Sequence, residues 1–174
     1  MWNGIRDIVA EIKRCESAGA TMAAVTMAYV CIDTMAFLSM PSSQSSQTGT
    51  DFITWVDSYL KGHPYQPYQY VGIDVYAARC GVLHAFGAEA NLHRNDTSIK
   101  KFGYHNGGLH AFRPAVSPNC VIIGTASFLN DVVIAVETFL NECENNIDLR
   151  SRVEARLPSV FARMPFSHSA STGP

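Results

Sequence analysis

The sequence is poor in charged residues and lacks the short motifs that identify the commonest cofactor sites. Charged side chains make up 16% of its 174 residues and the net charge is −2, which excludes a uniformly basic nucleic-acid-binding surface. Any contact with RNA or DNA must therefore come from a local patch. No glycine-rich phosphate loop is present, so nucleotide-dependent phosphoryl transfer has no support. Hydrophobic residues, at 47%, are abundant enough for a sizeable core.

The five cysteines are too scattered for a disulfide framework or a zinc ribbon. They are odd in number and no two of them stand in a CxxC spacing. This usage is typical of a chain kept in a reducing compartment, and we expect a cytoplasmic protein. The cysteines are Cys15, Cys31, Cys80, Cys120 and Cys143.

Only one segment, residues 18–40, is long and apolar enough to be considered as a membrane span. Asp33 lies inside it, and threonines and alanines dilute its apolar character. The segment therefore predicts a central helix buried on most sides, and we expect no membrane association. The first residues mix charged with apolar side chains and do not have the order of a signal peptide.

Hydrophobic periodicity predicts a mainly α-helical bundle of five or six helices. We expect one domain over residues 1–162 and a flexible tail over 163–174. Residues 88–124 form an irregular insert, in which two strand-like stretches separated by turn residues predict a short β-hairpin or a loop. The helix that concerns function spans 73–86, with Gly87 as its natural stop.

That helix carries the hexapeptide "RCGVLH", from Arg79 to His84. Arginine is a permanent planar cation that suits phosphate, and histidine exchanges a proton near neutral pH. These two groups are sufficient to cleave RNA, because the 2′-hydroxyl of RNA supplies the nucleophile. The histidine would move a proton and the arginine would stabilise the charged transition state, without a metal.

Helical geometry restricts how these two side chains can cooperate. Residues five apart on a straight helix point about 140° away from each other. Arg79 and His84 therefore converge only if the helix ends near His84 or if the helix meets its twin across a two-fold axis. Gly81, which lies between them, would suit such a close contact. We expect a homodimer for this reason.

The segment "YAARCGVLHAF" resembles the motif of the HEPN superfamily, whose helical bundles carry an arginine, four to six further residues and then a histidine late in a helix. The resemblance extends in architecture over about residues 1–145 and implies an HEPN-like bundle. It further implies a homodimeric, metal-independent endoribonuclease with Arg79 and His84 as catalytic residues. Such proteins often serve as toxins, with an antitoxin protein as partner, or in defence. Active members often have a polar residue after the arginine, where this chain has Cys80, so a non-catalytic RNA- or protein-binding module is the alternative.

Aromatic and basic residues on either side of the motif helix are candidates for RNA contacts. The tyrosines of "GHPYQPYQY" could stack unpaired bases, or they could pack over the end of the bundle. The locally basic stretch after the motif could hold an RNA backbone, or it could be a solvated loop. The expected RNA-binding side chains are Tyr65, Tyr68, Tyr70, Arg94, Lys100 and Lys101.

A purely structural role for the motif is also open. Arg79 could pair with Asp74 or Glu89, while His84 caps the helix end. Asp33 could orient a catalytic group or be a satisfied carboxylate of the core.

Two other chemistries receive less support from the sequence. Cys80 and His84 are spaced i, i+4, so a thiolate activated by a histidine is conceivable, although a cysteine in an apolar helix is more often inert. No histidine pair has a short metal-binding spacing, and we expect no metal and no cofactor. His93, His105 and His110 are then interpreted as surface side chains of a loop.

Overall fold

The structure, a computed structural model, describes residues 2–106, 108–112 and 119–160. The predicted tail over 163–174 lies outside these residues. Helices dominate the described part, as the sequence predicts, and a small sheet lies in the insert. The α-helices are α1 (Asn3–Ser17), α2 (Thr21–Ser39), α3 (Gly49–Trp55), α4 (Gly72–Ala85), α5 (Asn91–Asn95), α6 (Thr125–Asn145) and α7 (Ile147–Val160). A π-helical segment, π1 (Val56–Leu60), continues α3, and the strands are β1 (Lys101–His105), β2 (Ala111–Phe112) and β3 (Cys120–Gly124).

Helix α2 lies at the centre of the bundle and contacts α1, α3, α4, α6 and α7. It is the one helix in the described part of the chain that is long and apolar enough to cross a membrane, yet half of its apolar stretch is buried within the fold. This packing favours the predicted core helix. Small residues such as Ala24, Ala28 and Ala36 are fully buried along it, which allows neighbouring helices to approach closely.

The two strand-like stretches of the insert do not pair with each other as the predicted β-hairpin. Strands β1 and β3 pair in parallel, with Lys101 opposite Cys120, and β2 pairs antiparallel with β3 from the other side. Parallel strands require a crossover, so the strand-like stretches cannot be joined by a tight turn. The sheet packs its apolar face inward through Phe102, Val121 and Ile123.

The C-terminal end of α4 explains why glycine occupies position 81. Phe86, not the expected Gly87, takes the left-handed conformation that ends the helix, with φ of 50°. The chain then folds back, and the Gly87 N–H donates to the carbonyl of Gly81 at 3.1 Å. A Cβ atom at position 81 would lie 2.6 Å from the Gly87 carbonyl oxygen. The space beside Gly81 is thus filled by the same chain, so this glycine no longer supports a dimer contact.

Carboxylates at the third position of two helices fix where those helices begin. The Asp51 carboxylate accepts the N–H and the hydroxyl of Thr48, each at 2.7 Å, which begins α3. Asp74 accepts the N–H of Val71 at 2.9 Å and, through its other oxygen, the N–H of Lys100 at 2.7 Å. Asp74 therefore both caps α4 and ties it to the residue before β1.

Candidate functional site

Arg79 of α4 forms an ion pair with Asp33 of α2, not with Asp74 or Glu89 as the structural alternative expected. Its Nε and Nη2 atoms each lie 2.7 Å from the same Oδ2 atom of Asp33. Both side chains are 21% exposed, so the pair lies at the rim of the core. Asp74 is buried beneath its backbone donors, and Glu89 faces Arg94 and Lys101. Asp33 is thereby placed where it can orient Arg79.

Burial and pairing act in opposite directions on this ion pair. Burial raises the pKa of Asp33, and this outweighs the lowering by the hydrogen bond and charge of Arg79 and by the charge of His84. Burial lowers the pKa of Arg79, but the hydrogen bond and charge of Asp33 outweigh it and the net shift is upward. The carboxylate is thus held in a partly desolvated place and depends on Arg79 for compensation.

His84 lies in the last turn of α4 and is exposed to solvent. No hydrogen bond or ion pair joins it to Arg79, as the angle between positions five apart on a helix requires. It is nevertheless close enough to Asp33 for its charge to lower the pKa of that carboxyl. The structure therefore pairs Asp33 with Arg79 and leaves His84 near enough to act on Asp33 by charge, without bringing the two motif residues into contact.

An open recess of about 280 Å³ lies beside the ion pair. We call it the Arg79 recess; its lining residues are Asp33, Gln47, Thr48, Gly49, Tyr76 and Arg79. A Cβ atom at Gly49 would lie 2.8 Å from the Tyr76 ring, so the first residue of α3 approaches that ring closely. A smaller depression of about 240 Å³ adjoins it and shares Asp33 and Gln47. Asp33 is therefore accessible from a continuous groove.

The Cys80 thiol does not form the catalytic couple considered from the sequence. It lies 3.9 Å from Nη1 of Arg79, and no hydrogen bond joins it to His84. Elsewhere in the chain burial raises the pKa of Cys31 to about 12 and that of Cys143 to about 11, so those thiols stay protonated at neutral pH. All five cysteines are free.

The three tyrosines expected to stack bases lie in different surroundings. Tyr65 is 82% exposed, and its ring is available. Tyr68 is half-buried and its hydroxyl accepts the N–H of His63 at 3.1 Å. Tyr70 is only 2% exposed and packs against Phe102 and His110, which leaves no ring face for a nucleotide base. The prediction that Tyr70 stacks a base is therefore wrong, and Tyr70 follows the alternative in which the tyrosines pack within the fold.

The locally basic stretch is partly neutralised within the fold. Arg94 and Lys101 both approach Glu89, at 3.9 Å and 3.4 Å. The Lys100 ammonium donates to the backbone carbonyl of Gln69. The surface is therefore less positive than the residue types alone indicate, because the negative charge of Glu89 offsets part of the positive charge of Arg94 and Lys101.

Two of the histidines interpreted as surface side chains are instead buried. Both ring nitrogens of His93 are used, Nδ1 by the Ala90 N–H at 2.9 Å and Nε2 against the Lys100 carbonyl at 3.2 Å. In His110, Nδ1 accepts the Gly124 N–H at 3.2 Å and Nε2 faces Asp131 at 3.3 Å. Neither ring has a nitrogen left for a metal. Within the described ranges, no cluster of three or more His, Cys, Asp or Glu side chains has metal-binding geometry.

The buried pair of His110 and Asp131 was missed by the sequence reasoning. Asp131 lies on the same helical stripe as Phe128, Val132 and Ala135, which faces the core. A carboxylate within an otherwise apolar inward stripe is the signal that could have identified it, because such a group requires a buried partner. His110, the residue directly before β2, supplies that partner.

Comparison of the chain with family models, with curated proteins and with solved structures finds no match.

Proposed function

We propose that this chain is an HEPN-like protein that cleaves RNA without a metal, with Arg79 and His84 as its catalytic residues. The observation that supports this most is that Asp33, which holds Arg79 at the side of an open recess, is also influenced by the charge of the exposed His84. A permanent cation and a histidine exposed to solvent are sufficient for RNA cleavage, and a carboxylate that orients the cation adds to them. The helical bundle, with the motif late in α4, agrees with the resemblance of "RCGVLH" to that family.

The proposed reaction is an attack by the 2′-hydroxyl of RNA on the adjacent phosphate. A bond forms between the 2′-oxygen and phosphorus while the bond to the 5′-oxygen breaks, giving a 2′,3′-cyclic phosphate and a 5′-hydroxyl. The 2′-hydroxyl loses its proton and the leaving 5′-oxygen gains one; His84 makes one of these two transfers, and solvent water makes the other. Arg79 binds the phosphate oxygens. Asp33 is a positioning residue, because it holds Nε and Nη2 of Arg79 and so fixes the direction of the guanidinium.

A homodimer would complete this site. Arg79 and His84 do not meet within one chain, so the second group has to come from a neighbouring copy or from movement on binding. Phe86, directly after α4, is 68% exposed, and Val30, one turn before Asp33 on α2, is 38% exposed. Burying these apolar side chains between two copies would place both motif helices beside the two-fold axis. In this setting the protein would serve as a toxin or defence component, with an antitoxin as partner.

A non-catalytic binding module is the second candidate, and a specific observation favours it. The Arg79 guanidinium is already engaged by Asp33, which reduces the charge available to a phosphate. The exposed Phe86 ring at the end of α4 suits a protein partner. The two candidates differ in whether RNA is cut, since the binding module would hold RNA or a protein without cleaving it.

Cleavage of a fluorogenic RNA, followed in excess EDTA, tests the proposal. We expect His84→Ala and Arg79→Ala to lose about 10²–10⁴ of the rate, since a positioned acid or base contributes that much. His63→Ala and Arg150→Ala are matched controls outside the Arg79 recess and should keep the rate. A substrate with 2′-deoxyribose at the scissile position should bind but stay intact. Absence of cleavage by the wild-type chain would leave the binding module as the better explanation, and full activity of His84→Ala would refute the catalytic role assigned to His84.

A further inference from the structure

A second recess, of about 340 Å³, lies between the end of α2, the α3–π1 segment, α6 and α7. We call it the Trp55 recess; the lining residues used below are Trp55, Asp51, Ser58, Tyr59, Glu142 and Arg152. Its volume is that of a small-molecule pocket. One wall is held rigidly, because Arg156 donates to the carbonyls of Met40 and Pro41 at 2.6 Å and 2.7 Å. Neither Arg79 nor His84 takes part in it.

Two residues that line this recess each carry a buried donor without an acceptor among the residues that the structure describes. Trp55 is 2% exposed, and its indole Nε1 is buried without a hydrogen bond. The Nε atom of Arg152 is likewise buried and unmatched, and no carboxylate of the described chain forms an ion pair with this arginine. Native proteins rarely leave such donors unsatisfied, so two of them in one recess indicate a missing acceptor.

Acidic groups stand in the same recess as this arginine. Asp51 and Glu142 both line it, and Glu142 accepts the hydroxyl of Tyr59 at 2.8 Å. Burial, and then the hydrogen bond and charge of Glu142, raise the pKa of Tyr59, which keeps that phenol a donor. The rings of Trp55 and Tyr59 lie with centroids 5.2 Å apart and give the recess an aromatic surface. The site thus offers both signs of charge beside apolar rings.

The backbone at this place is also unusual. Ser58 and Tyr59 reach the recess from π1, where the helix widens from α to π geometry. Such segments are rare and occur frequently at functional sites, because the wider turn redirects side chains. This observation is independent of the unmatched donors and points to the same recess.

We infer that the Trp55 recess binds a small zwitterion of the α-amino acid class. The ligand's carboxylate would lie on Arg152 and supply the missing acceptor, while its ammonium group would face Asp51 and Glu142. A polyanion is disfavoured by the two acidic side chains, and a simple amine would leave the arginine unmatched. The aromatic rings would contact the ligand's apolar part.

The two tryptophans of the chain make a direct test possible. In protein labelled with ¹⁵N-tryptophan, the indole signals of Trp55 and Trp2 are followed while each common L-amino acid is added at about 10 mM, which saturates a site with a dissociation constant of ~1 mM. We expect at least one amino acid to shift the Trp55 signal and leave that of Trp2, which is also buried, unchanged. The corresponding amine without the carboxylate, and the acid without the amine, should shift it at least tenfold less at equal concentration.

Arg152→Gln should abolish this shift, whereas Arg150→Gln should keep it. Arg150 is the matched control, because it lies on the same helix, pairs with Glu154 at 2.8 Å and does not line the recess. The inference is overturned if no amino acid moves the Trp55 signal, if the amine or acid alone acts equally well, or if Arg152→Gln binds as the wild type does. Since RNA cleavage is not measured, the result is independent of the proposed function.

Discussion

Replacing Arg79 by alanine removes the hydrogen bond and the ion pair that Asp33 receives from it and leaves a partly buried carboxylate without compensation. Breaking one side of a fully buried pair costs about 3–5 kcal/mol, because the remaining charge stays desolvated. The side chains of Arg79 and Asp33 are each 21% exposed to solvent, so we expect a smaller loss of about 1–3 kcal/mol in the free energy of unfolding. For a chain of this size that lowers Tm by about 2–12 °C.

The loss should depend on pH in a defined direction. The pKa of Asp33 is already raised by burial, and without Arg79 it rises further. A group whose pKa is higher in the folded state contributes stability that is fully present below its unfolded pKa of about 3.9, and this contribution is lost as pH rises through the folded pKa. Arg79→Ala should therefore resemble the wild type near pH 4 and fall progressively below it towards neutral pH.

Urea unfolding at several pH values, with the variants Asp33→Asn, Arg79→Ala and the double variant, measures this effect. The double variant should recover much of the loss of Arg79→Ala, since no unpaired carboxylate remains. The charge of His84 also acts on Asp33, so the series is repeated with His84→Gln, which removes that charge. A loss in Arg79→Ala that is equal at all pH values, or strict additivity in the double variant, would refute the reasoning.

Two further predictions concern the ends of α3 and α4. Gly81→Ala should lower the urea midpoint: alanine favours a helix by about 1 kcal/mol, but overpacking against the Gly87 carbonyl, 2.6 Å from the new Cβ, costs about 1–3 kcal/mol. Gly87→Ala is the control, since its Cβ would meet nothing closer than 3.8 Å, and equal stability of both variants would contradict the close approach. Burial raises the pKa of Asp51, but hydrogen bonds from Thr48 and Gln44 lower it and the net shift is downward. The contribution of Asp51 to stability is therefore present above its unfolded pKa of about 3.9 and is lost as pH falls through the lower folded value. Asp51→Asn should therefore cost about 0.5–2 kcal/mol at pH 7 and flatten the acid limb of a Tm-against-pH curve, and an unchanged acid limb would count against this role.

The helices were predictable because their signals are local. The predicted fourth helix, 73–86, differs by one residue at each end from the observed Gly72–Ala85, since apolar spacing and a turn residue lie within the segment itself. The parallel pairing of β1 and β3 was not predictable in this way. Strand composition identifies a strand but not its neighbour, and here the neighbour is set by the whole connection between them.

The same distinction applies to the candidate site. Arg79 and His84 were identifiable from residue chemistry. The partner of Arg79, Asp33, lies 46 residues earlier on a helix that the sequence identified only by its apolar composition. The burial of His93 and His110 was missed because their partners include backbone groups, such as the Ala90 and Gly124 N–H, which no side-chain pattern reveals. Long-range packing, not residue type, decided those cases.

The anchoring of α7 onto the end of α2 has a consequence for how the chain matures. The hydrogen bond from Arg156 to the Met40 carbonyl spans 116 residues, so it can form only after almost all of the described chain has been synthesised. Contacts of such separation require closure of a long loop and follow the local helix pairs in time. The Trp55 recess, whose walls include Met40 and Arg152, is therefore absent from a nascent chain that lacks α7. A ligand in that recess would bind only chains in which α7 has folded onto α2, and it would stabilise this folded state by RT ln(1 + [L]/Kd).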